Sequence, residues 1–201
     1  NALFHTSDPA INPASAEILW QDRVGVIDNL QFDASLNQVR FMASGRKGNA
    51  VIAAKDENGT ILWSWHIWAT DTPVDQNYVN SVGEFTVMDR NLGAIRADRG
   101  ENDQWRGARG TIYQWGRKDP MYVYRFPWGE SEMYTRNQSR VSIAEAIQNP
   151  MVLEGSGFNN WNNNDSPELW SVSQKTIYDP CPAGYRVPDY HYLSGLTDNK
   201  R

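Results

Sequence analysis

The first third of the chain is a series of short runs in which apolar and β-branched residues alternate with polar ones. Ala16–Trp20, Val24–Ile27 and Gln38–Met42 are of this kind, each bounded by Asp, Asn, Ser or Gly, and they predict strands. The clearest unit spans Gly48–Trp68, where Asn49–Lys55 and Ile61–Trp68 flank Asp56-Glu57-Asn58-Gly59-Thr60. Asn58-Gly59 supplies the two positive-φ residues of a type I′ turn, so a hairpin is expected. Along its second strand Ile61, Trp63, Trp65 and Ile67 share one face, and Leu62, Ser64, His66 and Trp68 share the other. A wholly apolar face has to be covered, which makes this hairpin the expected anchor of a core.

Asp71-Thr72-Pro73 interrupts the pattern and marks a boundary. Beyond it a short strand is expected at Phe85–Met88, leading into Asp89–Gly93. Residues 96–110 alternate in charge, contain three glycines and read as a long solvated loop. Thr111–Gly116 reads as a strand or edge segment stopped by Arg117–Pro120. One helix is well signalled: Ser142 caps it, Glu145 at N3 completes a capping box and Pro150 follows its end, which places it over Ile143–Gln148. Phe158–Asp165 reads as a loop, Leu169–Tyr178 as containing a further strand, and Asp189 as the cap of a short helix presenting Leu193 and Leu196. No repeat or heptad is visible. The expected class is α+β and β-rich: a β-sandwich-like module over residues 1–70, then a loop-rich module over residues 71–201 with one or two short helices.

Composition narrows the functions. A chain of 201 residues makes one large domain or two small ones. Its 19 Lys+Arg against 24 Asp+Glu leave a net charge of −5 and offer no basic face for nucleic acid. No apolar stretch is long enough to predict a transmembrane segment. Nine Trp, nine Tyr and far more Asn than Lys suit an extracellular setting. Cys181 is the sole cysteine, so no disulfide forms within this sequence. Asn1–Pro13 has neither the basic nor the apolar region of a signal peptide, and the last residues follow a helix start without a closing element. The expectation is a mature or excised piece, incomplete at its C-terminal end.

Candidate chemistry favours binding over catalysis. His5, His66 and His191 lie far apart in no metal-ligand spacing, and His66 reads as a packed or surface-strand residue. No nucleophile elbow, phosphate loop or Cys pair occurs, and Cys181 stands between Pro180 and Pro182 with no neighbouring base. Carboxylate pairs for glycoside hydrolysis meet only in three dimensions and stay open. Asn159, Asn160, Asn162, Asn163, Asn164, Asp165 and Glu168 set seven oxygen-bearing side chains within ten residues. Calcium takes six to eight oxygens from flexible loops, so Asn162, Asn164, Asp165 and Glu168 are candidate ligands. The alternative is an Asn-rich loop whose amides cap its own backbone. Trp105, Trp128 and Trp161 lie in expected loops and are candidate platforms for stacking on sugar rings. Trp20, Trp63, Trp65 and Trp115 lie in expected strands and read as core.

Three segments carry a resemblance: Val87-Met88-Asp89-Arg90-Asn91-Leu92-Gly93-Ala94, Tyr113-Gln114-Trp115-Gly116-Arg117-Lys118-Asp119-Pro120, and Tyr178-Asp179-Pro180-Cys181-Pro182-Ala183-Gly184-Tyr185-Arg186-Val187-Pro188. In this order they resemble the Fibrobacter succinogenes major paralogous domain of Bacteroidetes-type surface proteins. The last motif, with Cys181, Gly184 and Arg186, is similar to one in C-type-lectin-like folds, which the resemblance implies for the second module. It implies a secreted protein or lipoprotein at the outer-membrane cell surface. It also implies adhesion or ligand binding rather than catalysis, in some relatives at a fimbrial tip. The partners implied are a surface glycan or protein and other fimbrial subunits. The motif residues also have a structural reading, Asp89, Arg90 and Asn91 in a buried turn and Gly93 and Gly116 at close approaches. Family members continue past the Cys-Pro-x-Gly motif to a second cysteine, whereas this chain stops soon after it. A secreted glycan-binding module is the alternative reading, and an enzyme on a lectin-like scaffold a third.

Overall fold

The computed structural model describes residues 11–81, 83–101, 105–121, 134–156, 160–164, 169–189 and 192; for Trp105 and Arg106 it describes the backbone. Five strands come first: β1 (Ser15–Gln21), β2 (Ile27–Asp33), β3 (Gln38–Ala43), β4 (Gly48–Lys55) and β5 (Ile61–Ala69). β1, β4 and β5 form an antiparallel sheet with β4 central, and β2 and β3 form a separate ribbon. The register Ile18↔Ile52↔Trp65 and Ala50↔Ile67 aligns apolar residues on one face. That face meets Val26 and Ile27, both 0% exposed, with Leu30, Val39 and Phe41 around them. Each side chain of this size taken fully out of water contributes ~1.5–3 kcal/mol, so this cluster is a principal source of stability.

The hairpin forms where the alternation places it, but its turn differs from the expected type I′. Gly59 has φ +83°, while Asn58 is not among the positive-φ residues. Gly59 N–H donates to Asp56 O at 3.1 Å and Asp56 N–H to Thr60 O at 3.0 Å. Asp56 Oδ1 accepts the N–H groups of Asn58 and Thr60. This is a type I turn closed by a glycine bulge, and the aspartate cap selects it over the mirror-image turn. Val24–Ile27, expected as a strand, begins one only at Ile27, because Gly25 at φ +78° turns the chain there.

The opposite face of the sheet carries Asn49, Ser64, His66 and Trp68 and is covered by later chain. Trp68 Nε1 donates to Ala94 O at 3.0 Å, and Asn49 Nδ2 to Gly93 O at 2.9 Å. Contacts therefore run directly across the boundary expected near residue 70. Next comes a ribbon of β6 (Asp75–Asn80) and β7 (Gly83–Met88). The stretch read as a solvated loop contains a five-residue helix, α1 (Trp105–Arg109). Thr111–Gly116 is not a strand; among the described residues one bridge, Ile112↔Met121, pairs there.

The helix α2 occupies Ile143–Gln148 as expected, with both halves of the Ser142–Glu145 capping box formed. Ser142→Ala removes the acceptor for Glu145 N–H, and urea unfolding is expected to show a loss of about 1 kcal/mol. β8 (Thr135–Asn137) and β9 (Val152–Glu154) pair in parallel beside it. Val141, Ala146, Trp161 and Leu169 form a second core, joined by Ile143 and Tyr178. Leu169–Tyr178 contains no strand, because side chains take over the backbone groups: Trp170 Nε1 donates to Tyr178 O at 2.9 Å, and Thr176 Oγ1 to Leu169 O. Asp189 O accepts Tyr192 N–H at 3.0 Å, while Leu193 and Leu196 lie outside the described residues. The class is thus β-rich with small, mostly antiparallel sheets and two short helices among the described residues. No described helix is long and apolar enough to cross a membrane.

Candidate functional site

The motif around Asp89 builds a tight turn. Arg90 grips the Asp89 carboxylate through Nε at 2.8 Å and Nη2 at 3.0 Å, and donates from Nη1 to Thr70 Oγ1 at 3.1 Å. The guanidinium holds the Asp89 carboxyl below the usual range. Asn91 Nδ2 donates to Arg109 O at 3.2 Å. Gly93 has φ +81°, and a Cβ there would stand 2.5 Å from Thr111 Oγ1, so only glycine fits.

The second motif supplies a buried polar frame. Lys118, 8% exposed, donates from Nζ to Ser64 O at 2.9 Å and Ser64 Oγ at 2.5 Å, and to both oxygens of Asp119 at 2.8 and 2.9 Å. Ser64 Oγ donates in turn to Asp119 Oδ1 at 2.6 Å, and the ammonium lies 4.4 Å from the Trp63 ring centroid. Burial pulls the Lys118 ammonium down and the Asp119 charge opposes it. Beside this trio, His66 retains a partly accessible margin but its ring is deep-set. It is bonded on both sides: Nε2 to Asn49 Oδ1 at 2.9 Å and Nδ1 to Tyr113 OH at 2.9 Å. The Asn49 amide nitrogen is spent on Asp22 and Gly93 O, which leaves its oxygen as acceptor and assigns the proton to His66 Nε2. Tyr113 then donates to Nδ1, and desolvation pushes the imidazole pKa down to about 4.

A parallel frame ties the same motif to α2. Gln114, 0% exposed, donates from Nε2 to Glu154 O at 2.8 Å and accepts Glu154 N–H at 3.1 Å. Arg117 donates to Gln114 Oε1 at 2.9 Å and to the carbonyls of Val152, Ala146 and Asn149 at 2.6, 3.0 and 2.9 Å. α2 has no basic residue in its last turn, so Arg117 supplies the cation that its C-terminal carbonyls favour. Gly116, at φ +80°, lets the backbone lie against Leu169.

The third motif is closed by Asp179. Its Oδ1 accepts Cys181 N–H at 2.9 Å and Lys175 Nζ at 2.7 Å, and its Oδ2 accepts Val187 N–H at 2.9 Å. Burial pushes the Cys181 thiol up to about 12, so it is a poor nucleophile. Gly184 takes φ +89° in open space, and Arg186 Nη1 reaches Ser173 O at 3.3 Å. The three motifs are linked through residues that lie outside them. Thr111 N–H donates to Leu92 O at 3.0 Å. Trp63 lies between Lys118 and Tyr178, whose ring centroid is 6.3 Å away. Tyr185 OH donates to Asp75, at the foot of the ribbon that Asp89 closes.

Two tryptophans exchange the places expected of them. Trp161 is no exposed platform: it is 2% exposed in the second core, with Nε1 donating to Trp115 O at 2.6 Å. Trp115, expected in the core, is 39% exposed, and its ring centroid lies 6.3 Å from Trp170 at an interplanar angle of 58°. Sequence reasoning passed over Trp170; its nearness to Trp115 comes from the Trp170–Tyr178 bond, which no local pattern encodes. The Trp105 side chain and Trp128 lie outside the described residues. Of the candidate calcium ligands, Asn162 is 8% exposed and its Oδ1 accepts Asn164 N–H at 3.0 Å, the backbone-capping alternative. Asp165 and Glu168 lie outside the described residues, among which no group of three His, Cys, Asp or Glu converges. Protein-family models, curated proteins and solved structures were searched, and none of them matches this chain.

Proposed function

We propose that the chain is a non-enzymatic binding protein of the bacterial cell surface, acting in adhesion. It engages its ligand, a surface glycan or protein, through the Trp115–Trp170 corner. The observation that carries the reading is the contrast between an exposed indole and the backbone that bears it. Trp115 O receives the Trp161 indole N–H, and its neighbours Gln114 and Gly116 are buried and bonded or packed. A large amphipathic ring on so constrained a backbone loses little freedom on binding, as anchor residues of recognition sites do. Among the described residues, the buried polar cluster is committed within the fold: Ser64, Lys118 and Asp119 to one another, and His66 to Asn49 and Tyr113. The ordered motifs support membership of the Fibrobacter succinogenes major paralogous domain, with a sandwich-like first module, a lectin-like second module and a place at or near a fimbrial tip. A secreted glycan-binding module without a pilus role is the second reading, favoured by the aromatic corner itself.

A glycan array with the purified chain, followed by tryptophan-fluorescence titration of each hit, tests the proposal. Trp115→Ala is expected to weaken binding at least ~10-fold while the variant still unfolds cooperatively, with about 1–3 kcal/mol of stability lost from the partly covered ring. Equal binding by wild type and variant removes the corner from the site, and fractionation of the native protein to the cytoplasm removes the surface role.

A further inference from the structure

Among the described residues, the β1–β4–β5 sheet and the β2–β3 ribbon carry irregularities that discourage further pairing. Register shifts interrupt β1–β4 between Ile18 and Trp20, β2–β3 between Asp28 and Gln31, and β4–β5 at Ala54/Lys55. Lys118 Nζ also occupies a backbone carbonyl of β5, at Ser64. The β6–β7 ribbon has none of these devices. Its six pairs run unbroken from Asp75↔Met88 to Asn80↔Gly83, and no Lys, Arg or Pro occurs between Asp75 and Met88.

Its polarity can be worked out from one bond. Asp89 N–H donates to Val74 O at 2.9 Å, so residues 74, 76, 78 and 80 turn their backbone groups toward β7. By antiparallel alternation Asp75, Asn77 and Val79 turn theirs outward. β6 is exposed from Asp75 through Val79, whereas Phe85, Val87 and Met88 of β7 are half-buried, so the open edge is that of β6. Val79 is 74% exposed and Tyr78 41%.

The geometry points to a second copy of this chain as the partner of the β6 edge, paired antiparallel about a two-fold axis at Tyr78. Outward residues must oppose outward residues, so this register sets Asn77 against Val79 of the second copy, and each such pair exchanges backbone hydrogen bonds in both directions. Tyr78 then meets its own counterpart at a non-hydrogen-bonded position, where side chains come closest. Within one copy Tyr78 already stacks on Phe85, with ring centroids 6.0 Å apart, and Phe85 meets Tyr192 edge-on at 5.3 Å. Pairing extends these rings into one aromatic ridge across four strands. Gln76–Asn80 holds no charge, so two molecules of net charge −5 approach here without like charges facing each other. The occupant is thus a surface that reads itself, and the proposal stands apart from the Trp115 site.

Sedimentation equilibrium on the full chain is expected to show a monomer–dimer equilibrium with Kd on the order of 10–100 µM, as befits a small interface. Tyr78→Lys places two ammonium groups opposite each other, and Asn77→Pro removes an outward donor while leaving the β6–β7 ladder intact; each raises Kd at least ~10-fold. Far-UV circular dichroism checks that both variants fold. In a Cys181→Ser background, oxidised Tyr78→Cys forms a disulfide-linked dimer and Gln76→Cys does not, since only residue 78 meets itself. The proposal is overturned by a monomer at every concentration, by a dimer indifferent to Asn77→Pro, or by cross-linking of Gln76→Cys as efficient as that of Tyr78→Cys. It is equally overturned by a chain that stays monomeric and binds an unrelated extended peptide at this edge.

Discussion

Replacing Lys118 with methionine is expected to lower the unfolding free energy by about 3–5 kcal/mol, read as a fall in the urea midpoint at unchanged m-value. The substitution keeps an unbranched side chain of similar length and removes the ammonium that lies over Trp63 and bonds Ser64 and Asp119. What remains is an Asp119 carboxylate, 3% exposed, whose charge has lost its nearest cation and is left with the Ser64 hydroxyl. The cost lies in that orphaned anion rather than in a strong favourable pair, so a second substitution separates the two accounts. Asp119→Asn on top of Lys118→Met removes the orphan and is expected to regain a large part of the loss. A single variant that loses less than ~1 kcal/mol would show that the trio is not the buried electrostatic unit described.

Acid weakens the fold through His66. Its folded pKa of about 4 lies below the unfolded value of 6.5, so the unfolded chain takes up the proton first as pH falls. The stability contributed by the neutral, doubly bonded ring is complete above pH 6.5 and is lost as pH drops toward 4, by about 3 kcal/mol in all. Protonation at Nδ1 also turns the acceptor of the Tyr113 hydroxyl into a donor, so the bond that joins β5 to the second motif is reversed or broken. Unfolding free energies of wild type and His66→Gln, measured at intervals from pH 7 to 5, are expected to diverge in slope. That interval is diagnostic because Asp89 and Glu145, whose carboxyls are held low by Arg90 and Ser142, stay ionised through it. Parallel slopes would mean that His66 titrates normally in the folded chain.

Elements whose cause is local were legible in the amino-acid order. The Ser142–Glu145 box fixes α2 within one turn, and the alternation from Asn49 to Trp68 fixes β4 and β5. Strands lacking a buried face were not legible: β6 reads Asp-Gln-Asn-Tyr-Val-Asn and shows no period because it is exposed along nearly its whole length. β8 and β9 are three residues each and are held by contacts across intervening chain. The same limit governs the site. Loop position says nothing of burial, so Trp161 and Trp115 were assigned the wrong way round; an indole N–H aimed at a carbonyl 46 residues away decides the matter. Nothing in the local pattern marks Gln114, Arg117 and Lys118 for burial, which the carbonyls of α2, β9 and β5 make tolerable.

The covering of the tryptophan-bearing sheet from both sides bears on the birth of the molecule. One side closes early, since Val26–Phe41 lies close in sequence to β4 and β5. The other waits for Gly93, Ala94, Tyr113 and Lys118, so a nascent chain halted at residue 70 presents His66 and Trp68 without the later segments that cover them. Synthesis at about 5–20 residues per second leaves that surface bare for roughly 2–10 seconds while the chain grows from residue 70 to Lys118. Ribosome-stalled intermediates of that length are where a holding chaperone should be found.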